Sequence, residues 1–201
     1  MHQLLETGYM LWPSVVPDDL RCRSIAELNI IPDEFGAWTT PLAVEFKGWL
    51  RAFLDSNNCI LSDDSDLQIF NRYTGSIQPW HDDNDGSGRI RVFVCVYLTP
   101  TTEGRGPLKI IPMSHRNSGY ESMRGEVLQQ MYRQKNRLPP YENYSGKFED
   151  DYPHLYQKHP DELIVEVPAG SVIAVNNKIL HATNVHCGPE RRTMVLWWRI
   201  L

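Results

Sequence analysis

The chain has no surplus of positive charge: Lys and Arg number 20 against 25 Asp and Glu, for a net charge of −5. Such a field repels phosphate backbones, so only a local basic groove would make it a nucleic-acid binder. There is no C-x-x-C pair, and the four cysteines, Cys22, Cys59, Cys95 and Cys187, are scattered. That argues against a zinc knuckle or a disulfide scaffold and leads us to expect a reducing, cytoplasmic setting. Long apolar runs are missing as well. The longest, Val92 to Leu98, falls far short of the ~20 residues of a spanning helix. No membrane partner is expected, and the acidic, proline-containing first thirty residues do not read as a secretory signal. Repeats at a fixed spacing and low-complexity tracts are also lacking, which excludes solenoids.

What is present suffices for a single domain spanning residues 1–201, with 41% hydrophobic residues and six Trp, nine Tyr and six Phe to fill a core. Residues 39–55 place Leu42, Phe46, Trp49, Leu50 and Phe53 at helical intervals, behind Thr40 as a cap and Pro41 in the first turn. This pattern predicts an amphipathic helix. From Leu67 onward the chain breaks into short β-rich runs: LQIFNRY, IQPWH, RIRVFVCVYL, PLKII, LIVEV, SVIAV, KILH and TMVLWWRI. Eight such strands predict a mainly β fold with flanking helices, a double-sheet jelly roll. Residues 116–162 interrupt the series as an inserted, lid-like segment with a helix around Glu121 to Gln134. It holds six of the nine tyrosines, with seven Lys/Arg and eight Asp/Glu, and so is no polyanion patch. It reads equally as a binding lid or as a surface excursion anchored by aromatics.

The chemistry centres on His81-Asp82-Asp83. Side chains two apart on an extended segment share a face, so His81 and Asp83 converge while Asp82 turns away. Imidazole with carboxylate suits iron(II), manganese or zinc, although an isolated H-x-D triplet is more often a surface turn. A third ligand must come from a distant strand. His181 supplies one, following the runs SVIAV and KILH and the turn pair Asn176-Asn177. Two histidines and a carboxylate on a small β fold match the facial triad that leaves three positions of iron(II) open for a co-substrate and dioxygen. A co-substrate that chelates through a keto acid needs a bidentate cation for its far carboxylate. Arg192, eleven positions after His181, and its neighbour Arg191 open the last strand, and alternation lets only one of them point inward.

Taken together, these stretches resemble the phytanoyl-CoA dioxygenase-like (PhyH) family of iron(II)- and 2-oxoglutarate-dependent oxygenases, nearly end to end. LLETGYMLWPSVVPDDL is similar to the family's opening strand and first helix. TPTTEGRGPLKIIPMSH is similar to its Gly-Pro-Leu and Ile-Pro-Gly-Ser-His signature, with Met113 where glycine is usual. VPAGSVIAVNNKILHATNVHCGPERR is similar to its distal histidine and following arginine, with Ser171 where Asp is common. The resemblance implies Fe(II) held by His81, Asp83 and His181, and Arg192 on the distal carboxylate of 2-oxoglutarate. It also implies that Thr183 supports that carboxylate and that Tyr97 lines the co-substrate pocket. Asn71 and Tyr73 are candidates to bond the co-substrate, with buried tyrosine packing as the alternative.

Alternation along RIRVFVCVYL puts Arg91 on the face of Tyr97, as a candidate for an acidic group on the substrate. The implied activity consumes O2 and hydroxylates a small-molecule substrate, releasing succinate and CO2. Asp83 favours this over halogenation, for which relatives carry Gly or Ala there. His115 reads as a structural hydrogen-bonder. Two further readings stay open. Asn71-Arg72-Tyr73 resembles a motif of nucleic-acid demethylases in the same superfamily, against which the net charge and the arginine spacing speak. A non-catalytic cupin-like module would hold metal or ligand without turnover. Substrate identity and oligomeric state are not legible in the sequence.

Overall fold

The described strands form two antiparallel sheets packed face to face. The computed structural model describes residues 2–30, 35–59, 61–62, 67–72, 78–83, 90–102, 104–120, 153–183 and 191–200. Of these, 35–37, 61–62, 67–72, 78 and 191–200 are described by their backbone. The larger sheet runs in the order β1 (Tyr9–Trp12), β9 (Ser171–Asn176), β6 (Arg91–Tyr97), β11 (Arg191–Ile200), β4 (Leu67–Arg72) and β2 (Phe35–Ala37), and β3 (Leu61–Ser62) also pairs with β11. The smaller sheet runs β5 (Gln78–His81), β10 (His181–Thr183), β7 (Leu108–Ile110) and β8 (Leu163–Val165).

This is the expected jelly roll. One predicted strand is displaced: KILH contributes only His181. The chain is still turning before it, because Asn176 Oδ1 accepts the Lys178 N–H at 3.0 Å and its carbonyl accepts the Ile179 N–H at 3.0 Å.

The central strands β6 and β9 are buried on both faces, which is why they read as unbroken apolar runs. Phe93, Cys95, Tyr97, Ile173 and Val175 face inward against Leu108 and Ile110 of the smaller sheet. Val92, Val94, Val96, Val172 and Ala174 face outward against the helices α1 (His2–Thr7), α2 (Asp18–Leu28) and α3 (Pro41–Ser56). Helix α3 is the predicted amphipathic one. Thr40 Oγ1 accepts the Ala43 N–H at 3.2 Å as its cap, and Ala43, Phe46, Leu50 and Leu54 are buried. Glu27 of α2 ties the two helices together, accepting the Trp38 indole N–H at 2.7 Å and the Thr40 hydroxyl. Among the described residues no helix is long and apolar enough to cross a membrane.

The described ends of the inserted segment cover the outer face of the smaller sheet. Trp80, Ile111, Leu180 and Ala182 form a separate apolar cluster there, with Tyr120 packed on it. The Trp80 indole N–H donates to the Gln157 carbonyl at 2.9 Å, and Lys109 Nζ lies 5.0 Å from the centre of a Trp80 ring. Lys109 also pairs with Glu162 at 3.8 Å, with both side chains buried. Burial lowers the Lys109 value, against the opposing pull of Glu162. The expected helix at Glu121 to Gln134 lies outside the described residues.

Fully burying a Leu or Phe is worth about 1.5–3 kcal/mol, so the α3 face is a large part of what holds the helix to the sheet. Leu50→Ala should lower unfolding free energy in a denaturant titration by about 2–5 kcal/mol. Val44→Ala, on the exposed side of α3, should change it by about 0.5 kcal/mol or less. Equal losses would mean that the face is misassigned.

Candidate metal centre

The pairing of β5 with β10 sets His81 directly opposite His181. Antiparallel partners present their side chains on the same face, about 4.5–5.5 Å apart at Cβ, so the register alone brings two imidazoles together. Their ring centres are 4.3 Å apart, with planes inclined at 49°. Phe93, from the facing sheet, closes one side, its ring 5.0 Å from that of His181.

Each histidine is oriented in the same way. His81 Nδ1 bonds to the Pro79 carbonyl at 2.7 Å and His181 Nδ1 to the Ile179 carbonyl at 3.0 Å. A carbonyl only accepts, so Nδ1 carries the proton in both rings and each Nε2 presents its lone pair. Asp83 completes the set. Its Oδ2 lies 3.2 Å from His181 Nε2, and ligating atoms of His81, Asp83 and His181 all fall within 4.8 Å of one another.

Donors about 2.0–2.2 Å from a metal and at right angles to each other stand about 3 Å apart, which this arrangement fits. The two histidines are buried, whereas 28% of the Asp83 side chain is exposed against 6% for His181, so the site opens on the carboxylate side. Asp82 is buried but takes no part in the cluster.

The electrostatics are those of a preformed cation site. Burial pushes the Asp83 carboxyl up, but the charges of His181 and His81 and the hydrogen bond to His181 bring it below its ordinary range. Burial likewise works to lower His181. The Asp83 charge, its hydrogen bond and the Ile179 carbonyl outweigh that and hold it above 6.5. Each group stabilises the charged form of the other, and a metal cation would replace the proton that they share.

Thr183 is buried two positions beyond His181, and Tyr97 is buried on the inner face of β6. Arg91 begins β6, half-buried, with its backbone N–H bonded to Asn177 Oδ1 at 2.9 Å. His115 Nε2 bonds to the Leu5 carbonyl at 2.9 Å, as a structural residue would. Tyr73 lies outside the described residues.

Arg191 and Arg192 open β11, where Arg192 partners Asn71 and Arg191 partners Arg72 on β4. The residue that sequence reasoning passed over is Asn177, taken there only as part of a turn. It is fully buried and bonded to the backbone of Asp83.

Solved structures share this architecture. HygX from Streptomyces hygroscopicus, with nickel and 2-oxoglutarate bound, has a TM-score of 0.70 at 15% identity, over 98% of this chain and 85% of its own. EvdO2 from Micromonospora carbonacea var. aurantiaca, complexed with 2-oxoglutarate, scores 0.62 at 13% identity, over 100% and 89%. A Pseudomonas putida prolyl-4-hydroxylase scores 0.60 at 14% identity, over 100% and 96%. At these identities the likeness is one of fold. No curated protein matches the chain. Its residues 24–194 match phytanoyl-CoA dioxygenase (PhyH), and the chain therefore belongs to that family, within the iron- and 2-oxoglutarate-dependent oxygenases.

Proposed function

We propose that the chain is an iron(II)- and 2-oxoglutarate-dependent dioxygenase that hydroxylates a small-molecule substrate, with release of succinate and carbon dioxide. The observation that carries this reading is the cross-strand pair of His81 and His181, both with Nδ1 committed to a backbone carbonyl and Nε2 turned toward Asp83. Iron(II) bound there, with 2-oxoglutarate and dioxygen, supplies the oxidising chemistry. The protein's part is to hold, orient and exclude water. His81, His181 and Asp83 would hold the ion, and the ion would supply the site for co-substrate and dioxygen. Phe93 and the inner apolar face of β6 and β9 keep bulk water from the centre.

The far carboxylate of 2-oxoglutarate needs a guanidinium. Arg192, eleven positions after His181, is the residue proposed for that role, with Thr183 and Tyr97 as hydroxyl partners and Asn71, which pairs with Arg192 between β4 and β11, as a further co-substrate ligand. Arg91, which shares a strand face with Tyr97, is proposed to meet an acidic group on the substrate. HygX has been crystallised with nickel, 2-oxoglutarate and hygromycin B, a small molecule held by a protein of this fold. The free thiols of Cys22, Cys59 and Cys95 suit a reducing cytoplasm, in which iron stays ferrous.

Anaerobic addition of iron(II) and 2-oxoglutarate should develop the visible charge-transfer band of a chelated keto acid, and iron-dependent succinate release should follow in air. Asp83→Ala should abolish both, while Asp82→Ala leaves iron binding near that of the unaltered protein. The reverse ranking would overturn the ligand set. Absence of both signals in the unaltered protein would sink the oxygenase reading.

Loss of a bidentate charge-assisted contact costs roughly 2–3 kcal/mol, so Arg192→Ala should raise the 2-oxoglutarate concentration required by about 30-fold or more. Arg191→Ala should leave it near its starting value. Equal effects would show that the clamp is misassigned.

Imidazole ligates only when neutral, and His181 holds its proton more tightly than a free imidazole does. Zinc affinity followed by calorimetry should therefore begin to fall at a pH above 6.5 as the pH is lowered, then drop about tenfold per unit. A decline that starts only below that point would show that Asp83 does not raise His181.

A further inference from the structure

We propose that Asn177 is a positioning residue for the metal-binding carboxylate, holding the backbone of Asp83 and of Arg91 with the two ends of a single buried amide. The inference rests on the reading of His81, Asp83 and His181 as a metal centre and adds to it the device that sets the carboxylate. Asp83 needs such a device. The strand β5 ends at His81, so the third ligand lies beyond the hydrogen-bonded ladder that places the first two.

Four hydrogen bonds converge on Asn177. Its carbonyl accepts the Asp83 N–H at 2.8 Å, and its side-chain Nδ2 donates to the Asp83 carbonyl at 3.3 Å. Its backbone N–H donates to the Arg91 carbonyl at 2.9 Å, and its Oδ1 accepts the Arg91 N–H at 2.9 Å. Asn177 thus mimics one rung of a sheet toward each neighbour.

The chemistry selects an amide. Asn177 must donate to one carbonyl and accept from one N–H, and the side chain has no exposure to water to supply either partner. A carboxylate of the same shape could still accept from Arg91 but would set an oxygen against the Asp83 carbonyl. Asn177 also lies four residues before His181, on the turn that leads into β10. The chain that delivers the distal histidine therefore also fixes the carboxylate, which joins the two separated stretches of the site. A ligating carboxylate has to sit within about 0.5 Å of its productive position, and the backbone bonds of Asn177 set where that side chain starts.

The test is a cobalt(II) titration, followed by visible absorption, of the unaltered chain, Asn177→Asp and Asn176→Asp, with a thermal melt of each. Asn176 is the control: it is equally buried, and its side chain accepts from the Lys178 N–H. Supporting groups of this kind change metal affinity by about 10–100-fold, so Asn177→Asp should weaken cobalt(II) binding by that factor and alter the intensity of the absorption band, while Asn176→Asp stays within about twofold. A folded Asn177→Asp protein that binds cobalt(II) as tightly as the unaltered chain would overturn the proposal. So would equal losses in both variants, which would report general destabilisation.

If Asn177→Asp does not fold, nuclear magnetic resonance of the unaltered chain decides. The Asn177 side-chain amide and the Arg91 backbone N–H should shift when zinc(II) is added, and the Asn176 side-chain amide should not; unmoved Asn177 and Arg91 signals would overturn the proposal. Failure of the unaltered protein to bind cobalt(II) at all would remove the metal centre itself, an outcome distinct from a binding site indifferent to Asn177.

Discussion

The pairing of His81 with His181 across β5 and β10 is the constraint on which the site depends. Two residues a hundred positions apart in the chain share one face only because the register of a short sheet makes them partners. In a pleated strand a slip of one residue would send one imidazole to the outer face, where Trp80 and Ala182 now sit. The metal centre is thus specified by the same hydrogen bonds that specify the sheet. Each imidazole is then fixed by a carbonyl two residues earlier in its own strand or turn, so orientation is local while encounter is not.

The two sheets divide the work. The larger has its outer face covered by helices, with Phe46, Leu50 and Leu54 of α3 packed on a Val-rich surface. That packing backs β6 and β9, and the inner positions of these two strands form one wall of the site. The smaller sheet carries the two histidines, and its outer face is covered by residues 153–162 through Trp80 and the buried pair of Lys109 and Glu162. A buried ion pair contributes little net stability, but removing either partner leaves an unpaired charge in an apolar setting. The ion pair ties residues 153–162 to β7, while the Trp80 bond ties them to β5, the strand that carries the first ligand.

What the sequence made legible follows the range of the interaction. The helix α3 could be read because its cap, its first-turn proline and its apolar face all lie within sixteen residues. The strands β6 and β9 were legible as apolar runs, whereas β2 and β3, three and two residues long, carry no pattern to read. His81 and Asp83 could be put forward from their spacing, and His181 from its place after two strand-like runs. Asn177 was hidden because its side-chain partners are 94 and 86 positions away, and locally it looks like turn punctuation. The burial of Lys109 was equally invisible within PLKII, since its counter-charge comes from the far end of the insertion.

Because one asparagine joins Asp83 to Arg91, the carboxylate at the end of the smaller sheet is coupled to the first residue of a central strand of the larger one. A shift of one sheet against the other would therefore be felt at that carboxylate as well as in the apolar core, so the stiffness of the sandwich and the geometry of the ion site are not tuned independently.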